Sequence, residues 1–320
     1  MHQPRTDDAR RRRELDRRTF LAAAAVTVTA PAAMATERPF FQRHKLPIGL
    51  QLYTLGDISK TLDDTLSRVA AIGYRTVELA GNYGRQPAEL RQALDRAGLR
   101  CTSSHIQLGP KQDYAKVAAQ ARVIGFDRVI QPIINFPPGA SLRPGPGETI
   151  GDVVSRIMQT MTSDQWKAQA DQLNAAGAAL KSEGLRVGYH THNVEFAPLP
   201  DGQTALEVLL QRTDPALVTF ELDAGWVGAA GLDPVDWLHR YPGRFELMHV
   251  KDLKATTKPN FSFHQDPADV GAGMMNWPRI LPAAYAAGVR RFFVEQEEPF
   301  TRDRLDAVAT SFKYLDALKA

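Results

Sequence analysis

Leu185-Arg186-Val187-Gly188-Tyr189-His190-Thr191-His192-Asn193-Val194-Glu195-Phe196 opens as a short apolar run and closes as a cluster of imidazole, amide and carboxylate groups. Residues two apart in an extended chain share a face, so His190 and His192 point together toward one side and Tyr189 points to the other. A helical stretch from Asp164 to Ser182, stopped at Gly184, precedes this run, and another near Thr204 to Gln211 follows it. This is one strand–helix unit of a parallel sheet, with polar groups gathered at the C-terminal end of the strand.

The unit recurs in both directions. Toward the N-terminus the apolar runs are Ile48 to Tyr53, Arg75 to Leu79, Leu99 to Ser103 and Arg128 to Ile134. Toward the C-terminus they are Leu217 to Leu222, Arg244 to Val250 and Arg290 to Val294. Helical stretches separate them, several stopped by glycine (Gly73, Gly98, Gly125) and one opened by Pro87 at a first helical position. Eight such units predict a (β/α)8 barrel over residues 46–320, and the chain of 320 residues suits one barrel of roughly 250 residues with additions. A doubly wound sheet is the other reading of alternating units, but no Gly-x-Gly-x-x-Gly follows the first strand. Two longer segments stand out, Phe136 to Ser163 with its prolines and a short helix near Ile150 to Met161, and Leu253 to Met275; connections of this length in a compact domain are commonly functional.

The N-terminus reads differently. Arg10 to Arg13, Arg17 and Arg18 precede the uncharged stretch from Phe20 to Ala35, and Asp16-Arg17-Arg18-Thr19-Phe20-Leu21 sets a twin arginine before Phe-Leu. Ala33-Met34-Ala35 supplies small residues for cleavage, so residues 1–35 resemble a twin-arginine export signal, and the expected partner is that export machinery. The stretch falls short of the about 20 predominantly apolar residues of a membrane span, and no Cys follows it, so no stable membrane anchor is expected and the mature protein is expected to be periplasmic or secreted. The segment holds seven Arg against four acids; the remainder of the 39 basic and 36 acidic residues is then 32 against 32. A neutral mature chain removes the electrostatic argument for a nucleic-acid partner. With Cys101 alone, no internal disulfide and no multi-thiolate zinc site can form, so any metal must use His, Asp or Glu.

Such barrels carry their chemistry where strands end. Here run one brings Gln51 and Tyr53, run two ends at Glu78, run three leads to His105, run six ends at Asp223, run seven at His249-Val250-Lys251-Asp252 and run eight at Glu295-Gln296-Glu297. Mixed imidazole and carboxylate ligands suit one Zn, Mn, Co or Fe divalent ion better than calcium.

Five motifs in order carry a resemblance: Ile48-Gly49-Leu50-Gln51-Leu52-Tyr53, Gly188 to Phe196, Leu222-Asp223-Ala224-Gly225-Trp226, Met248-His249-Val250-Lys251-Asp252 and Val294-Glu295-Gln296-Glu297. The chain from about Leu46 onward is similar to the sugar phosphate isomerase/epimerase family, xylose isomerase-like TIM barrels related to the second family of AP endonucleases. The resemblance implies a divalent metal at the barrel mouth, held by a Glu, an Asp, a His and a second Glu. Asp223, His249 and Glu295 match the last three in type and order. The first position carries His190, with Glu195, farther along the loop, as the alternative ligand.

The chemistry this implies is proton abstraction next to a sugar carbonyl, with the metal stabilising an enediolate. Glu195 and Glu295 are the candidate proton-transfer groups, and Lys251 a candidate partner for an oxyanion or, equally, one half of a salt bridge to Asp252 or Glu297. Gln51, Tyr53, Glu78, His105, His192 and Trp226 are candidate contacts to a small carbohydrate substrate. Isomerisation or epimerisation of a free sugar, keto-sugar or glycoside is the expected reaction. Elimination from a 3-keto-glycoside on the same site and a non-catalytic periplasmic sugar-binding barrel are the alternatives. A phosphate on the substrate is not expected, because no glycine-rich helix start follows run seven or eight.

Overall fold

The computed structural model describes residues 38–320. The export segment expected at residues 1–35 lies outside the described residues. Eight strands, β1 (Ile48–Gln51), β2 (Thr76–Leu79), β3 (Arg100–His105), β4 (Arg128–Gln131), β5 (Arg186–His190), β6 (Val218–Asp223), β7 (Phe245–Val250) and β8 (Arg291–Val294), close into one barrel. Each pairs in parallel with its sequence neighbours, and β8 closes on β1 through Ile48 opposite Phe292 and Leu50 opposite Val294. At least one helix lies in every connection, as parallel strands require.

The helix ends follow local chemistry. Pro87 stands at the first position of Pro87–Ala97, whose Gln86 and Glu89 form a reciprocal cap, and Gly98 ends it in the left-handed region at φ 71°. In the long connection after β4, Thr149 and Asp152 cap Ile150–Gln159, and Thr162 and Gln165 cap Ser163–Lys181. No helix among the described residues is long and apolar enough to cross a membrane.

The structure departs from the sequence reading in several places. The first apolar run stays extended only to Gln51, whose side chain accepts from the Tyr53 amide and turns Leu52–Leu55 into a 3-10 helix. Tyr53 therefore leaves the barrel wall and stands 57% exposed. Strand β3 runs on to His105 rather than ending at Ser103. Asp223 caps an extra short helix, Ala224–Ala229, and Asp252–Leu253 pairs with Pro267–Ala268 inside the long loop after β7. A leading helix, Phe40–His44, sets Phe40 and Phe41 edge-on against Phe292.

The barrel interior is a packed core below and a polar chamber above. Ile130, Leu247 and Phe293 form a separate buried cluster. Gly188 makes room for it, since a Cβ there would come within 2.5 Å of Ile130 Cδ1. Alternation then sets the next inward residue of each strand one step higher, so Leu247 is followed by His249 and Phe293 by Glu295. The site stands on this apolar floor.

Candidate active site

His190 and Asp223 are the last residues of β5 and β6, His249 stands one residue before the end of β7, and Glu295 follows β8 directly. All four are buried, and one ligand atom from each lies within 4.8 Å of every other. Nδ1 of His249 lies 2.9 Å from Glu295 Oε2 and 3.6 Å from Asp223 Oδ2, and Nε2 of His190 lies 3.9 Å from the same Asp223 oxygen. Asp223 divides its duties, with Oδ1 accepting from the Trp226 amide at 2.9 Å and Oδ2 turned to the cluster.

A second layer supports these groups from below. Glu221 Oε2 lies 3.1 Å from His190 Nδ1, 3.0 Å from His105 Nε2 and 3.1 Å from His249 Nε2. Glu78 Oε1 lies 2.8 Å from His249 Nε2 and accepts from the Gln51 amide at 2.8 Å. His249 presents both ring nitrogens to carboxylates, Nε2 to Glu78 and Glu221 and Nδ1 to Glu295; a proton kept on His190 Nδ1 and on His249 Nε2 would leave His190 Nε2 and His249 Nδ1 to ligate a metal beside Asp223 and Glu295. That is the carboxylate–histidine support common behind metal ligands.

Carboxylates outnumber cations in the cluster, and the buried charges pair with one another. Burial works against ionising Glu295, yet Lys251 and His249 hold its carboxyl well below the usual range. Burial opposes the charge on His249, but Glu221 and Glu295 hold its pKa well above that of free imidazole. Burial, with the charge of His249, holds His190 well below it. Lys251 Nζ bridges Asp223 at 2.9 Å, Glu295 at 2.8 Å and Glu297 at 2.6 Å, and stands 4.7 Å above the Trp226 ring. Its stem fits because residue 225 is glycine: a Cβ there would sit 2.6 Å from Lys251 Cγ.

The donor set answers whether a divalent ion suits the site. Two buried imidazoles and two buried carboxylates converge, with Glu78 Oε2 and Glu221 Oε1 buried below them without hydrogen-bond partners among the described residues. This is the nitrogen–oxygen mixture that Mn, Fe, Co and Zn accept, and the pocket leaves one side open to a ligand.

Above the cluster opens a pocket of about 620 Å³. Of the residues singled out from sequence, Tyr53, His105, His190, His192, Trp226 and Glu295 line it. Gln51, Glu78, Glu195 and Lys251 do not; each is fully buried. Glu195 stands apart from the ligand cluster: Oε1 accepts from Tyr189 Oη at 2.6 Å and Oε2 from the His192 amide at 3.0 Å. Its carboxylate lies 3.6 Å from His192 Nδ1, too far for a hydrogen bond, so Glu195 supports this pocket-lining histidine through its backbone amide and by proximity of charge. The geometry gathers His190, not the alternative Glu195, with Asp223, His249 and Glu295. Of the two salt-bridge partners considered for Lys251, Glu297 is the one it meets. Asp252 is turned away to accept from Gly271, Met275 and Trp277. Sequence reading missed Glu221, although it lies two residues before Asp223 in an extended strand and so faces the same way.

Fold and site together define a (β/α)8 barrel with a candidate metal centre at the C-terminal ends of its strands. The family model for the xylose isomerase-like TIM barrel matches residues 66–318, and the chain belongs to that family. It is 27% identical to inosose dehydratase of Geobacillus kaustophilus over 62% of this chain and 64% of that protein, so the match spans less than two thirds of that relative. Inosose dehydratase of Lacticaseibacillus casei is 23% identical over 85% of this chain and 95% of that protein. The crystal structure of a sugar phosphate isomerase/epimerase from Parabacteroides distasonis is 27% identical, with a TM-score of 0.67 over 89% of this chain and 96% of that one.

Proposed function

We propose that the protein is a divalent-metal-dependent lyase that removes water from a cyclic keto-sugar or keto-polyol. The observation that carries this reading is the buried set His190, Asp223, His249 and Glu295 beneath a pocket lined by His192. Those four would hold the ion, which when bound polarises a carbonyl oxygen and acidifies the carbon beside it. His192, with Glu195 behind its Nδ1, takes the proton from that carbon. The electron pair of the broken C–H bond forms a C=C bond as the neighbouring C–O bond breaks. The proton held by His192 passes to the departing hydroxyl, which leaves as water. His105 and Glu297 at the wall orient ring hydroxyls.

Elimination is preferred to the isomerisation expected from sequence because the curated relatives quoted above are dehydratases. Isomerisation or epimerisation shares the first proton transfer, and the likeness to the Parabacteroides distasonis barrel keeps it as the second reading. A phosphorylated substrate is disfavoured because the pocket lining contains two glutamates and neither Lys nor Arg. The mature protein is proposed to act outside the cytoplasm; recovery of a chain beginning near Thr36 from the periplasm or medium tests this, and its confinement to the cytoplasm removes it.

Elemental mass spectrometry of the purified protein beside an Asp223→Ala, His249→Ala double variant is the first test. A bound divalent metal in the wild type, absent from the variant, is expected. Loaded enzyme incubated with keto-sugars in D₂O is then expected to form a conjugated enone with an ultraviolet band. Deuterium exchange without dehydration would select isomerisation; neither, with metal bound, would sink the mechanism.

A further inference from the structure

The floor of the pocket is polar, and one side of its upper wall is apolar, with Gln107 and Tyr53 as the polar groups at its margin. Pro132 and Ile133 follow β4, Ile150 and Val154 belong to the helix Ile150–Gln159, and Phe263 comes from the loop after β7. Ile150 stands 55% exposed at the mouth, so more than half of its surface is left unburied by the fold itself.

This wall is built rather than incidental. His264 Nε2 lies 3.1 Å from Asp152 Oδ1, and Gln159 Nε2 donates to the Phe261 carbonyl, so helix and loop clasp each other. The loop is tied to the floor by Asn193, which donates to Asn260 Oδ1 at 2.8 Å and accepts from the Phe263 amide at 3.1 Å. Phe263 is held at φ 59°, in the left-handed region, with its ring 4.8 Å from that of His192 and 5.7 Å from that of Trp226. A bulky residue in that conformation is costly, and the surrounding hydrogen bonds sustain it.

We propose that this upper wall is a subsite for an apolar, preferably aromatic, substituent, so that the substrate is a keto-sugar carrying a hydrophobic aglycone rather than a free polyol. The inference rests on the keto-sugar reading of the floor. A volume of about 620 Å³ lies within the range of roughly 300–1,000 Å³ that encloses drug-sized ligands and exceeds what one sugar ring fills. A free polyol would leave Ile133, Ile150, Val154 and Phe263 facing its hydroxyls or water. An aryl group continuous with the ring would cover them and edge against Phe263 and Trp226.

The test is calorimetric binding of an unreactive aryl glycoside and its methyl counterpart to the metal-loaded protein, beside Phe263→Asn and Ile150→Ser. Asn tolerates the left-handed backbone at 263, and position 150 is exposed enough to accept Ser without unfolding. The wild type is expected to bind the aryl compound at least about tenfold more tightly, the effect of burying one apolar ring. Both variants are expected to bring the aryl-to-methyl ratio toward one. Equal affinities in the wild type, or a ratio unchanged in both variants, would overturn the subsite. Turnover of the matching keto-glycosides judges the two readings separately: dehydration without aryl preference removes the subsite alone, and aryl preference without turnover removes the lyase reading alone.

Discussion

Glu221 Oε2 stands 3.1 Å from His190 Nδ1, at the far side of the imidazole from the nitrogen that faces Asp223. The same oxygen meets His249 Nε2 and His105 Nε2, so one carboxylate orients three rings. Glu221→Gln keeps the shape and removes the charge that fixes these tautomers. Metal affinity is expected to fall by about 10–100-fold, measured by competition with a chelator, while thermal unfolding of the metal-free protein stays near wild type. Unchanged affinity would show that the ligands orient themselves without it.

His192 and Glu195 form the second pair to separate. Glu195 is fully buried beside His192 and does not line the pocket, so in the proposed mechanism its part is to position that histidine. His192→Gln is expected to lower kcat by about 10²–10⁴-fold, the range for losing a general base. Glu195→Gln is expected to cost less and to fall on kcat rather than KM, because it keeps the pocket surface and alters only the support of the His192 ring. Metal content should be unchanged in both. Loss of metal from Glu195→Gln would return that residue to the ligand set considered from sequence.

At the opposite end of the barrel Arg291 bonds Asp127 at 2.6 and 3.0 Å. Partial burial raises the Asp127 pKa, but the hydrogen bonds and charge of Arg291, with Arg128 adding to them, carry it below the ordinary value. A carboxyl with a depressed folded pKa contributes stability that is present above its unfolded pKa of about 3.9 and is lost as pH falls through the folded value. Asp127 is half exposed, so the contribution is discounted to no more than about 1 kcal/mol. Asp127→Asn should therefore be slightly less stable than wild type above about pH 5, with the two converging at lower pH. Denaturant titrations at pH 7 and pH 3 check this; a gap that widens on acidification would reverse the sign.

What could be read from the chain alone was whatever repeats or is local. Eight apolar runs, glycine stops such as Gly98 and a helix start such as Pro87 are local signals, and they define a closed barrel because parallel strands of this length bury both faces. The candidate ligands were legible for the same reason: His190, Asp223, His249 and Glu295 stand at strand ends, and the position on a strand is a local property.

Tertiary structure decided what depends on reach. Glu195 lies five residues from His190 in sequence, yet Tyr189 and the His192 amide hold it away from the ligand cluster. Glu221 bonds to rings contributed by three other strands, a convergence that arises only when the barrel closes and its shear brings those strands level. The apolar wall joins residue 150 to residue 263 through Asp152 and His264, across a sequence separation that no periodicity records. Chain chemistry determined the barrel and its ring of candidate ligands; side-chain packing across non-neighbouring strands and loops determined which groups face the pocket, because contact distance there is set by closure and not by spacing along the chain.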